Sequence, residues 1–453
     1  MPQHVLRVLL CYVYRMKTTN KVHKAWAMYD WANSTYNLVI GTAIFPIFYS
    51  AVTRTADDGA EGDNVLFFGR IFKNTEVLSY ALAFGMFMVC ILAPTIAGLA
   101  DYLGKKKQFM RWSCYLGSAA CISLFFFDVH HLELSMVSIV LASTGFWCSY
   151  ALYNSFLPDI ARPEEQDKLS AKGYSLGYIG SVLLLVINLV MIMVLKIPAK
   201  WCFVTVGIWW AGFAQYTFRH LPEHPTGKVF SRGVLGKGFK ELNGVWKQLT
   251  HNNQLKRYLV SFFVFSMGVQ TIMQMASLFG TKEIQRVDEA GNVVMGLADG
   301  QLIGAVLLVQ IIAIPGAMVF SFCSKAFGNL NTLKIALVVW AIICIVAYSF
   351  VQTPMDFYVA AGLIGFIMGG TQSLARSTYS KLLPETQDTA SFFSFYDVTE
   401  KVGLIIGLLS FGFIEGTFGS MRTSILALIT FFVIGFLLLL RVPKTPLMHS
   451  QHK

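Results

Sequence analysis

The sequence predicts an all-α integral membrane protein in which twelve transmembrane helices form two pseudo-symmetric six-helix bundles. Three observations carry that expectation. Of 453 residues, 55% are apolar and only 13% charged, with a mean hydropathy of +0.57, whereas soluble domains average about 25% charged residues. At roughly 20 apolar residues per spanning helix, the chain holds about a dozen spans and no large soluble domain. Short motifs also recur in the second half of the chain in the order of the first.

The elements follow in order. Residues 1–25 form an expected cytoplasmic tail, whose apolar run is interrupted by Arg7 and lacks a small-residue cleavage site, so it is neither a span nor a signal peptide. Met16, followed by Lys17, offers an alternative start that would make 1–15 an upstream extension. Residues 26–218 make the N-terminal bundle, with apolar segments at 26–52, 75–100, 109–127, 134–157, 172–195 and 201–218. A polar, basic linker occupies 219–257. Residues 258–441 make the C-terminal bundle, with segments at 258–280, 298–322, 333–351, 355–378, 394–415 and 421–440, and 442–453 form a second cytoplasmic tail.

The net charge of +11 would suggest nucleic acid in a soluble protein, but here it follows membrane topology. With both termini cytoplasmic, 27 of the 36 lysines and arginines fall on the inner side, 8 on the outer side, and Lys401 within a span, as the positive-inside rule requires. The first outer loop is acidic, with Asp57, Asp58, Glu61 and Asp63. The linker's basic residues, with Phe239 and Trp246, point to anionic lipid. The eight cysteines stand singly with no CxxC pair, which argues against a disulfide framework or a metal site. No Walker, HExxH or GxSxG pattern occurs, so neither enzyme chemistry nor a cofactor is expected.

The repeat is specific. Pro163, Glu164, Gln166 and Asp167 recur 221 positions later as Pro384, Glu385, Gln387 and Asp388, and Gly104 of GLADYLGKKK has a counterpart 224 positions later in Gly328 of SKAFGNLNTLK. Two matches at nearly one offset and at equivalent topological positions indicate duplicated six-helix halves, a plan typical of secondary transporters.

Leu99, Ala100, Asp101, Gly104, Lys105 and Lys106 match the loop motif of the major facilitator superfamily, which the whole chain resembles. Ala97 and Tyr102 depart from that motif. YDWANSTY at 29–36 and FFSFYDVTEK at 392–401 are similar to the superfamily's vacuole-effluxer branch, named for fungal autophagy-related amino-acid effluxers and shared by bacterial relatives. The resemblance implies two bundles around a cavity that opens alternately to each side, and amino acids as solutes. It implies monomers as the family default, while the short tails fit a bacterial inner membrane. A solute, a coupling proton or ion and anionic lipids are the expected partners. A receptor or scaffold of the same shape without net transport, or an exporter of drugs or other metabolites, are the competing classes.

Polar residues inside apolar segments are the candidate sites. Pairs at i and i+4 share a helix face: Asn33 and Asn37 with Tyr36, Tyr150 and Asn154, Gln270 and Gln274, Gln372 and Arg376. They occupy segments 1, 4, 7 and 10, which the resemblance places around the cavity; the alternative is interhelical hydrogen bonding. Arg376 either clamps a solute carboxylate or is interfacial. Asp30 serves gating, coupling or solute contact, or is an interfacial carboxylate with a basic partner. By resemblance Asp101, with Gly104, Lys105 and Lys106, latches the N-terminus of segment 11; topology and lipid contact are the alternative. Asp397 and Lys401 have the spacing of a helical ion pair, beside Glu400, with coupling as the other reading. Gly173, Gly177 and Gly180 in segment 5, and Gly362, Gly365, Gly369 and Gly370 in segment 10, allow close helix approach.

Overall fold

The computed structural model describes residues 3–54, 64–223, 226, 228, 234–287 and 291–443, with side chains described outside 3–18, 54, 234–241 and 299. The acidic loop residues Asp57, Asp58, Glu61 and Asp63, the side chain of Phe239, the side chains of 1–18 and residues 444–453 lie outside this set. Helices dominate because a chain in hydrocarbon must satisfy its backbone within each segment. The first half runs α1 (Gln3–Thr35), a π-helical stretch (Tyr36–Ala43), α2 (Ile44–Arg54), strands β1 (Asn64–Phe67) and β2 (Arg70–Lys73), α3 (Asn74–Leu103), α4 (Lys106–Ser123), α5 (Leu132–Ile160), α6 (Pro163–Met193) and α7 (Lys200–His220). After α8 (Val234–His251) come α9 (Asn253–Glu283), β3 (Gln285–Val287), β4 (Val293–Met295), α10 (Asp299–Phe327), α11 (Asn329–Ser349), α12 (Pro354–Leu382), α13 (Thr389–Phe418), α14 (Met421–Ala427) and α15 (Ile429–Leu440).

Among the described residues, ten helical segments are long and apolar enough to cross a membrane, against the twelve expected. The shortfall falls on α4 and α7, at the third and sixth expected positions. Lys106, Lys107 and Arg111 crowd the 18 residues of α4, and Trp201, Trp209, Trp210, Gln215 and Tyr216 lower the hydropathy of α7.

Two large apolar cores form. One draws on residues 26–221 with Ala390, the other on 245–442 with Tyr178. Small residues let helices touch. A Cβ on Gly180 would stand 2.6 Å from the Trp31 carbonyl oxygen, and one on Gly177 would stand 2.5 Å from Ser34 Oγ, so α6 lies directly on α1. Gly365 and Gly369 of α12 likewise meet the Val309 and Ala313 carbonyls of α10, whereas a Cβ on Gly362 would meet open space. Each half also carries an antiparallel hairpin after its first long helix, β1 with β2 and β3 with β4. Asn64 and Gln285, which open them, are 221 positions apart, the offset of the sequence repeat.

The linker helix α8 buries Leu242, Val245 and Leu249 while Trp246 stays 50% exposed, its ring 5.7 Å from that of Phe395 on α13. The described part of the linker therefore packs on the bundle through one face and leaves the other free.

Candidate functional site

Polar groups from both halves meet in three successive levels. Along α5, α6, α12 and α13 the order of residues is the same, from one end of the bundle to the centre.

The outermost level ties the halves together twice. Asp101 is placed by the turn that ends α3, where Gly104 adopts the left-handed φ of 64° that only glycine takes without strain. Its carboxylate accepts from the backbone amides of Ala390 (3.2 Å) and Ser391 (2.7 Å) in the first turn of α13, where free donors and the helix dipole favour an anion. Lys106 Nζ stands 3.0 Å from Asp159 and 3.6 Å from Asp101 and also donates to Thr389 Oγ1. Lys105 closes the turn through its backbone, its carbonyl accepting from Gln108 and Phe109. On the other flank Asp167 of α6 accepts from Ser324 Oγ at 2.7 Å and Asn329 Nδ2 at 2.8 Å, and pairs with Lys381 Nζ at 2.6 Å. Asp167 and Ser324 belong to the two sequence repeats. Its repeat mate Asp388 only precedes α13, with no side-chain cap bond.

The middle level is one guanidinium. Arg376 of α12 is 1% exposed and commits all five N–H groups. Nη1 and Nη2 reach Asp30 Oδ2 at 3.3 and 3.4 Å, Nη1 reaches Asn154 Oδ1 at 3.2 Å, and Nε and Nη2 reach the hydroxyl and carbonyl of Ser170, both at 2.9 Å. Tyr153 donates to Asp30 at 2.7 Å. The guanidinium lies 4.2 Å from the Tyr174 ring centre and 4.8 Å from that of Trp26, within cation–π range. Gly173 makes room, because a Cβ there would stand 2.5 Å from Asp30 Oδ2 and 3.1 Å from Arg376 Nη2. Asp30 thus has the basic partner of its alternative reading, but both residues are buried within the bundle rather than at its surface, and the carboxylate clamp expected of Arg376 has no free donor in this conformation.

The innermost level is a central cavity of about 130 Å³. Of the expected residues, Asn37, Tyr150, Asn154, Gln270, Gln372 and Arg376 line it, joined by Asp30, Asp397 and Glu400. Asn33, Tyr36 and Gln274 do not. The cavity face of the first long helix runs through Asp30, Ser34, Asn37 and Leu38, which leaves Asn33 on its flank and turns Tyr36 away, onto Phe146 at 4.9 Å. Asn33 is fully buried with both amide atoms unpartnered. Gln274 is exposed, beyond the face defined by Phe262, Ser266, Val269, Gln270 and Met273. The helix is π-type just where it passes the cavity, with Ile44 N–H bonding the Val39 carbonyl, a distortion common at functional sites.

The ion pair expected between Asp397 and Lys401 is not formed. Lys401 Nζ pairs with Glu400 at 2.8 Å and lies 3.2 Å from the Trp147 ring centre. Glu400 also accepts from Gln270 at 2.5 Å. Asp397, 4% exposed, has no hydrogen-bond partner on either oxygen.

Ser170, Tyr174 and Tyr178 were not among the expected site residues. Tyr174 bonds Tyr150 hydroxyl to hydroxyl at 2.9 Å, and Tyr178 donates to Gln372 at 3.1 Å. The two tyrosines are themselves an i, i+4 pair, on α6, the fifth segment, which the resemblance does not place at the cavity.

Helices of two halves around a central cavity are the architecture of the major facilitator superfamily, and solved structures agree. The Escherichia coli fucose:proton symporter matches with a TM-score of 0.64 at 13% identity, covering 94% of this chain and 98% of that one. The proton:xylose symporter XylE gives 0.69 at 11% identity over 94% and 96%. Residues 18–449 match the family model described as vacuole effluxer Atg22 like, and the chain belongs to that family. Relatives include the MFS-type transporter YxiO of Bacillus subtilis, 28% identical over 95% of this chain and 96% of that one. Autophagy-related protein 22-1 of Phaeosphaeria nodorum is 23% identical over 91% and 88%. The protein is a multi-pass membrane transporter and not an enzyme.

Proposed function

We propose that this protein is a secondary active transporter that moves a small polar solute, amino acids first among them, by alternating access. The observation that carries the reading is the Asp30–Arg376 pair, which joins α1 to α12 across the halves and lies between the cavity and the outer contacts of Asp101 and Asp167. A solute in the cavity passes that end only when the pair and both outer contacts open, so they act as inner and outer gates on one side. The charge count makes that side cytoplasmic, with both termini there and α4 and α7 completing twelve crossings of a bacterial inner membrane. A proton or other ion supplies the gradient, in keeping with the proton symporters among the structural neighbours. The free, basic face of the linker rests on anionic lipid, and the working unit is a monomer.

The test is counterflow into proteoliposomes preloaded with mixed amino acids, adding each labelled amino acid in turn. Saturable accumulation, competed by the unlabelled solute and missing from protein-free vesicles, is the expected result. Silence across the panel in folded protein would remove amino acids from the reading.

A further inference from the structure

The charges around the cavity do not balance. Arg376 is spent on Asp30, Asn154 and Ser170, and Lys401 on Glu400 and the face of Trp147. Two acids and two bases thus cancel, and Asp397 is left over. The charged groups near it are Lys401 and Glu400 on its own helix and Arg376 on α12, and none of them reaches its oxygens. The Asn154 amide faces Asp397 from α5 as its nearest neutral donor, but its nitrogen closes no hydrogen bond, and it carries no charge to balance the carboxylate. A carboxylate 4% exposed without a partner is costly in an apolar bundle, so the site is built to be completed by a cationic group. The walls are aromatic, because Trp147, Tyr150, Tyr174 and Tyr396 line the same cavity; Trp147 and Tyr174 already stand beside Lys401 and Arg376, which leaves Tyr150 and Tyr396 for an incoming cation. No group of three or more acidic, histidine or cysteine residues that could hold a metal ion occurs among the described residues, so a single carboxylate with aromatic walls favours an organic cation.

We propose that Asp397 receives the protonated primary amine of the transported solute, and that the cavity has no cation to offer a solute carboxylate. The inference rests on the transporter reading for the cavity's purpose, but its test is a binding measurement that stands apart from transport. The ammonium donates hydrogen bonds to Asp397, and the rest of the solute lies against the rings. The specificity that follows is unequal: an amine without a carboxylate binds, and an acid without an amine does not.

Three probes with one branched side chain decide it, namely leucine, 3-methylbutylamine and 4-methylpentanoate, titrated into purified full-length protein by calorimetry. Leucine and the amine are expected to bind, and the acid at least about tenfold more weakly, as for loss of one partner of a buried charge pair. Asp397→Asn should weaken both amine-bearing probes by at least about tenfold, and Asp397→Glu should restore part of the affinity. Monodispersity and thermal midpoint confirm that each variant is folded. Equal binding of the acid, unchanged affinity in Asp397→Asn, or no binding of the amine would overturn the proposal. If Asp397→Asn keeps amine affinity but loses accumulation driven by a pH gradient, Asp397 is a proton site and the amine assignment is wrong. Amine binding that depends on Asp397 without counterflow would keep the assignment and remove amino acids as the transported solute.

Discussion

Asp30 and Asp397 are the same residue type, both nearly inaccessible, both on long apolar helices and both lining one cavity, yet their surroundings are opposite. Asp30 takes a tyrosine hydroxyl and two guanidinium nitrogens. Asp397 takes nothing within the chain, although a lysine stands four residues on. The difference lies in what crosses from the other half. Asp30 faces Arg376, whose fork matches a carboxylate, while Lys401 turns to its neighbour Glu400 and to Trp147 of α5. Burial of a carboxylate therefore does not assign its role; the supply of partners does. In the roles proposed above, the satisfied acid closes a gate and the unsatisfied one awaits a ligand.

The sharpest way to break this contrast is to unbalance the satisfied side. Asp30→Asn leaves the Arg376 charge buried without its counter-ion, and loss of one member of a buried pair costs about 3–5 kcal/mol. It should lower the melting temperature in detergent and cut counterflow at least tenfold, a far larger loss of stability than Asp397→Asn, which removes an uncompensated charge. Equal melting of the two variants would end the contrast. Next in size, Gly173→Ala drives a methyl against Asp30 and Arg376 and should cost about 1–3 kcal/mol, as overpacking does, read from the melting midpoint. Asp101→Asn and Asp167→Asn weaken only the outer contacts. They should leave solute affinity within about twofold while raising the reactivity of cysteines placed at the interface between the halves, since Asp101 gives up charge at a helix N-terminus, which contributes about 0.3–1 kcal/mol, and Asp167 gives up its pair with the part-exposed Lys381. The smallest effect is expected at Asn33, whose buried amide has no partner. Asn33→Leu should leave affinity unchanged and hold or raise the melting midpoint, because the desolvation cost of the amide disappears.

Different parts of this arrangement were legible to different degrees. Helical membrane architecture was plain from composition and segment length, because hydrocarbon imposes both. The contact of Asp101 with α13 could be anticipated from the loop motif, whose glycine and carboxylate announce a turn and an anion. The same motif has no power over Asp30 and Arg376, 346 positions apart, since nothing local says that two buried charges share a level. Of the residues chosen by spacing, Tyr150 with Asn154 and Gln372 with Arg376 line the cavity and Asn33, Tyr36 and Gln274 do not, because i, i+4 defines a face without saying where that face points. Spacing also misjudged Asp397 and Lys401, where an adjacent glutamate and an aromatic ring on another helix outweighed the helical pairing. The two hairpins at one offset were hidden in short stretches with no strong alternation.

The most direct test of the gate asks whether the cavity is sealed from the side that carries the Asp101 and Asp167 contacts. Ser34 lines the cavity one turn beyond Asp30. With the eight native cysteines replaced and Ser34→Cys introduced, a membrane-impermeant thiol reagent is applied to that face in oriented vesicles. Slow labelling is expected with the Asp30–Arg376 pair intact, and at least about tenfold faster labelling when Asp30→Asn is added, in proportion to a gate that has lost its buried pair. Equal labelling rates in the two backgrounds would contradict it.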